Sequence, residues 1–135
     1  MSESLKVLGR GPCYVIRAAD EVMQHLKVIR EKHKKHFFNA REILEKLMDV
    51  GLEGVNNTEQ FTFEGRFPDG TPNGSRVAIY AVKAYQLRIY GGFRIVEGEE
   101  SFVCIESVIK KANKADQKQL KRVAKKLGKH GSNVG

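Results

Sequence analysis

A chain of 135 residues, 41% hydrophobic and 30% charged, has a globular balance and the length of a single domain with a modest core. No apolar run approaches the ~20 residues of a membrane span, and the opening MSESLKVLGRG lacks the apolar segment of a secretory signal, so a cytoplasmic protein away from membranes is expected. The net charge is +8 and one-sided: Met1–Ser75 holds 11 Lys+Arg against 11 Asp+Glu, whereas Arg76–Gly135 holds 13 against 5, which points to a polyanion, nucleic acid first and an acidic protein second, with a merely solubilising basic tail as the alternative.

In chain order, residues 1–11 read as a loose lead-in, with Gly9, Gly11 and Pro12 as breakers. Cys13–Arg17 reads as a short strand. Asp20 opens a helix in which Val22, Leu26, Ile29 and His33 repeat at helical spacing, ending in the basic cluster KHKKH, which suits the negative end of the helix dipole. Asn39 starts a second helix, with Glu42 in a capping-box position. Its apolar stripe is Ala40, Ile43, Leu44, Leu47 and Met48, and Gly51 stops it. The short connection predicts an antiparallel helix hairpin. Gly51–Thr58 reads as a loop. Phe61–Phe67 alternates as a strand with Phe61, Phe63, Gly65 and Phe67 on one side, and the turn-rich PDGTPNGS follows.

Arg76–Gly92, RVAIYAVKAYQLRIYGG, reads as a central strand, long enough that a bend or bulge near Lys83 and Ala84 would swap the phase of one half. Val77, Ile79, Ala81, Tyr85, Leu87 and Ile89 fall on one face, with Lys83 as the odd member, and Tyr80, Gln86, Arg88 and Tyr90 on the other. Gln, Arg and Tyr at alternate positions suggest a surface that grips phosphate and stacks on bases; a solvated strand arginine is the plainer alternative. A turn over Glu97–Ser101 precedes a strand at Phe102–Ile109. Asn113 then caps a last helix with the stripe Leu120, Val123, Ala124 and Leu127, ended by Gly128. Lys110–Lys129 carries nine basic residues and one acidic residue, Asp116. Its lysines lie away from the apolar stripe, so this face is solvated, faces nucleic acid, or meets an acidic partner. Residues 130–135 read as a loose tail. The element order implies one α+β domain over 1–135, with helices gathered on one face of a mostly antiparallel sheet.

The cysteines, Cys13 and Cys104, have no CxxC partner and read as reduced and buried. His25, His33, His36 and His130 show no metal-ligand pattern, and no cofactor motif such as a P-loop or GxGxxG is present.

Two signatures carry a resemblance. One is K-x-x-Q-x-R-x-Y-G, at Lys83, Gln86, Arg88, Tyr90 and Gly91. The other is K-K-x-x-K-x-D-Q after the last strand, at Lys110, Lys111, Lys114, Asp116 and Gln117. With the element order they make the chain resemble the RelE/ParE superfamily of bacterial and phage toxins, most of all its phage-associated branch. The resemblance runs over 14–127 in element order and 82–124 in sequence. It implies a metal-free endoribonuclease that cuts messenger RNA at the ribosome and is silenced by an antitoxin protein.

Such cleavage needs a base for the 2′-hydroxyl, cations for the phosphorane and an acid for the leaving oxygen. Arg88 offers a fork matched to phosphate. Lys83, Lys110 and Lys111 offer charge, and a lysine crowded by other cations is pushed toward its neutral form, able to act as a base. Glu106 is another base candidate if it faces the groove. Tyr85 or Tyr90 would stack on a base, with Gln86, Arg94, Lys114, Lys118, Lys121 and Lys125 as further RNA contacts. At the end of the last strand, where many family members carry histidine or tyrosine, this chain has Val108, Ile109 and Lys110. The reading from a different class is a non-catalytic basic module of phage or mobile-element origin, binding nucleic acid or an acidic partner.

Overall fold

The structure, a computed structural model, describes residues 4–55, 58–111 and 116–134. The elements are β1 Leu5–Arg10, β2 Val15–Ala19, α1 Asp20–Lys32, α2 Lys34–Val50, a short α3 Leu52–Val55, β3 Phe61–Pro68, β4 Arg76–Ala84, β5 Leu87–Val96, β6 Glu99–Ile109, α4 Gln117–Leu127 and β7 Ser132–Asn133. The strands form a sheet in the order β1-β2-β6-β5-β4-β3, with β7 beside β5. Every pairing is antiparallel except that of β2 with β6. The domain is therefore α+β with a mostly antiparallel sheet. No helix among the described residues is long and apolar enough to cross a membrane.

The helices cover both faces of the sheet, not one as the element order implied. Val22, Leu26 and Ile29 of α1 and Ala40, Ile43, Leu44 and Leu47 of α2 bury against Ile16, Val82, Leu87, Ile89 and Phe102. On the opposite face Leu120, Val123, Ala124 and Leu127 of α4 meet Val77, Ile79, Ala81, Val103 and Ile105. Each fully buried aliphatic side chain contributes about 1.5–3 kcal/mol relative to exposure, so both layers are held by apolar burial.

The long central strand is instead a hairpin. The chain reverses at Tyr85–Gln86, setting Ala84 opposite Leu87 and Lys83 opposite Arg88. Tyr85 takes φ +57°, the left-handed backbone that a two-residue hairpin turn needs at its first position. Glycine or asparagine usually announces such a turn, and a tyrosine conceals it. The reversal re-sorts the faces. Val77, Ile79 and Ala81 look toward α4, whereas Leu87 and Ile89 look toward α1 and α2. Strand alternation then puts Lys83, Arg88 and Tyr90 together on the α4 face. In β3 a bulge between Phe63 and Gly65 does the same: Phe61 is buried under α1 and α2, Phe67 under α4, and Phe63 is exposed.

Other boundaries shift for local reasons. The lead-in is an edge strand, β1, paired with β2. Its flanking Gly11 is a close approach rather than a breaker, since a Cβ there would lie 2.6 Å from Met48 Cβ. The following strand starts at Val15, leaving Cys13 exposed, while Cys104 is buried as expected; both are free thiols. The helix break is His33 alone, at φ −137°, ψ 62°. α2 starts at Lys34, so Asn39 and Glu42 lie inside it and the expected capping box does not form. The expected Asn113 cap lies outside the described residues, and Asp116 caps α4, accepting from Lys118 N–H. The tail is not wholly loose: Ser132 and Asn133 pair with Ile95 and Arg94.

Candidate nucleic-acid interface

α4 covers only part of its face of the sheet. Beyond it, at the β4–β5 turn, lies an open cleft of about 700 Å³ lined by Asn39, Glu59, Gln60, Thr62, Lys83, Tyr85 and Arg88. Lys83 and Arg88 are cross-strand neighbours there. Lys83 Nζ lies 3.2 Å from Glu64 Oε1, which reaches it from the β3 bulge. Arg88 is largely buried and donates from Nη1 to the carbonyls of Tyr85 at 2.5 Å and Leu87 at 3.0 Å. No carboxylate among the described residues forms an ion pair with it. Its guanidinium therefore braces the turn. Lys110 lies over the Tyr90 ring, 5.7 Å from the centroid, and Lys111 is exposed beside it. Among the described residues, no three His, Cys, Asp or Glu side chains gather as a metal site would require.

Three sequence candidates fall elsewhere. Glu106 is buried on the α4 face, where Arg122 donates to it at 2.7 and 2.9 Å, Gln119 at 3.3 Å, and Lys126 lies at 3.1 Å. Burial would raise its carboxyl, but the bonds from Arg122, Lys126 and Gln119 outweigh this and hold it below the usual carboxylate range. It anchors α4 and is a poor base. Tyr90 is 1% exposed, and burial pushes its hydroxyl up to about 12, so no nucleobase can stack on its ring. Arg94 is also buried, and donates to the carbonyls of His130 and Gly131 and to Asn133 Oδ1, fastening the C-terminal segment. Lys118, Lys121 and Lys125 lie exposed on the outer face of α4. Lys114 lies outside the described residues.

One part of the surface was not foreseen. The KHKKH cluster, which suits the C-terminal end of α1, also forms the N-terminal turn of α2, which holds no acidic residue. Lysines there add to the positive end of that helix's dipole instead of offsetting it. The fold brings this cluster to the β4–β5 turn. His36 sits 5.2 Å from the Tyr85 ring, centroid to centroid, and its Nε2 bonds Gln86 Oε1 at 2.8 Å. Its Nδ1 is buried and has no hydrogen-bond partner among the described residues. Lys35 Nζ lies 5.8 Å from the Tyr85 centroid. Gln86 also accepts from the backbone N–H of Lys110 at 2.8 Å, so it ties the turn to both α2 and the end of β6. Only the shared basic character of two distant segments hinted at this meeting. Comparison with protein-family models, with curated proteins and with solved structures finds no match.

Proposed function

We propose that the chain is a RelE-like endoribonuclease that cleaves messenger RNA, at the ribosome and under the control of an antitoxin, using the cleft at the β4–β5 turn. The observation that carries this reading is Arg88: a nearly buried guanidinium, fixed by two carbonyls and without a carboxylate partner among the described residues, lining an open cleft beside Lys83. In the reaction the 2′-oxygen gives up its proton and attacks the adjacent phosphorus, and the 5′-oxygen leaves and is protonated from solvent in the open cleft, giving a 2′,3′-cyclic phosphate and a 5′-hydroxyl. Arg88 holds the phosphorane oxygens, and Lys83 and Lys110 add charge that strengthens as the transition state forms. Glu59, the carboxylate that lines the cleft, replaces Glu106 as the group placed to take the 2′-hydroxyl proton. Of the two tyrosines, the exposed Tyr85 ring is the stacking surface and the buried Tyr90 is not.

The non-catalytic basic module is favoured by a separate observation: the tyrosine of the motif is buried and Glu106 is bonded to three side chains of α4. Expression and end-mapping separate the two. A ribonuclease arrests growth on induction and leaves new message ends bearing cyclic phosphate, both lost in Arg88→Ala at equal levels of folded protein. Normal growth, with intact RNA in the presence and absence of ribosomes, would leave the binding module.

A further inference from the structure

Tyr85 separates two clefts. On one side is the cleft of Lys83 and Arg88; on the other is a second, of about 400 Å³, lined by Lys34, Lys35, Phe38, Asn39, Glu42 and Tyr85. Asn39 borders both. Two aromatic side chains stand out at this junction: Tyr85 is 53% exposed and Phe38 42% exposed. Tyr85 is also one of only two non-glycine residues among those described with positive φ. Such backbone is costly and is kept where the surroundings over-determine it, often at binding sites. Here His36 against the ring and the His36–Gln86 bond hold the turn so that the Tyr85 ring stands up between the clefts.

Resting on the ribonuclease reading, we propose that the second cleft is a subsite for the neighbouring nucleotide of a single-stranded RNA. The strand crosses Tyr85 with one phosphate at Arg88 and Lys83 and the next at Lys34 and Lys35, and a base stacks on Phe38 or on the outer face of Tyr85. Aromatic rings beside cations along a groove are the recurrent equipment for unpaired nucleic acid. An acidic peptide would use the lysines but gain nothing from two exposed rings. Glu42 narrows the cleft's positive charge to the Lys34–Lys35 side, which fits a single phosphate better than a run of carboxylates.

The test uses the full-length protein and a fluorescently labelled, unstructured ten-nucleotide RNA, with affinity measured by anisotropy across a salt series. Phe38→Ala is an exposed helix substitution and leaves the fold intact; it should weaken binding about five- to a hundred-fold, the range for loss of one stacked base. Lys34→Ala with Lys35→Ala should flatten the log–log salt slope by about 0.7, for the one phosphate released. Tyr85→Gly, which suits the positive φ, should weaken binding while keeping the melting temperature. RNA binding by the parent chain that is unchanged in Phe38→Ala and in the lysine pair would overturn the subsite while leaving the ribonuclease reading intact. Poly-glutamate competing equally against parent and Phe38→Ala would overturn it too, in favour of an acidic protein partner. Absence of any RNA binding by the parent chain would remove both readings together.

Discussion

Arg88 donates from one nitrogen to the carbonyls of Tyr85 and Leu87, so substituting it disturbs the turn as well as the cleft. Removing a charged donor from such bonds costs about 1.5–3 kcal/mol, and Arg88→Ala should lower the melting temperature measurably. Its loss of rate per folded molecule should be larger, roughly a hundred- to a thousand-fold, the usual cost of one transition-state donor. Arg88→Lys should recover part of the stability and little of the rate, because an ammonium lacks the planar fork. Measuring both quantities on one preparation decides the matter: full rate in the folded fraction of Arg88→Ala would take this residue out of the mechanism. Glu106 gives a second expectation, concerning stability alone. Its carboxyl is held below its ordinary value in the folded state, so its contribution is complete above the unfolded carboxylate value of about 4.3 and is lost as pH falls through the lower folded value. The melting temperature of the parent chain should therefore fall more steeply in that acid range than that of Glu106→Gln. Parallel curves would mean that the Arg122 and Lys126 contacts stabilise nothing. The chemical types of Arg88 and Lys83 were legible from the motif. The fates of Tyr90, Arg94 and Glu106 were not, because alternation tells which way a side chain points but not whether a helix lies over it.

At the scale of elements, α4 was the most legible piece. Its stripe of Leu120, Val123, Ala124 and Leu127 is buried as the spacing predicts, and Gly128 ends it. What the spacing left open is the face it covers. That depends on the reversal at Tyr85, and the reversal carries no glycine or asparagine to betray it. Once β4 and β5 are a hairpin, β4 offers Val77, Ile79 and Ala81 to one side and Val82 and Ala84 to the other, and a second helical layer has an apolar surface to cover. Gly91, the last residue of the motif, shows how tightly the hairpin meets β6: a Cβ there would stand 2.0 Å from the Val103 carbonyl oxygen. The docking of α4 is open to direct measurement. Leu120 is fully buried, so Leu120→Ala should cost about 2–5 kcal/mol in denaturant unfolding. The adjacent Lys121→Ala, on the exposed face, should stay within about 0.5 kcal/mol of the parent. Equal midpoints for the two variants would show that α4 does not rest on the sheet.

Over the whole molecule two exposed positive surfaces bear on RNA. One is the end formed by Lys34, Lys35 and the β4–β5 turn; the other is the outer face of α4. The sequence located the excess charge in the C-terminal part, but folding neutralises some of it. Arg122 and Lys126 are turned in to Glu106, with Lys126 also at Glu21. Lys118, Lys121 and Lys125 remain exposed, with no ion pair to a carboxylate among the described residues. None of these three lysines lines either cleft at Tyr85, so a short RNA seated there should leave them untouched, whereas a long one, or ribosomal RNA flanking the message, should engage them. The two surfaces should therefore separate by length of RNA. Each phosphate neutralised on a single strand adds about 0.7 to the log–log salt slope. Replacing Lys118, Lys121 and Lys125 together by Ala should leave the slope for a short oligonucleotide nearly unchanged and flatten that for a long RNA by about 2. Equal flattening for both lengths would place α4 inside the primary site and move the RNA path away from the β4–β5 turn. No flattening for either would make the basic face of α4 a solvated surface, and the field that counts for RNA would then come from the turn and the N-terminal end of α2 alone.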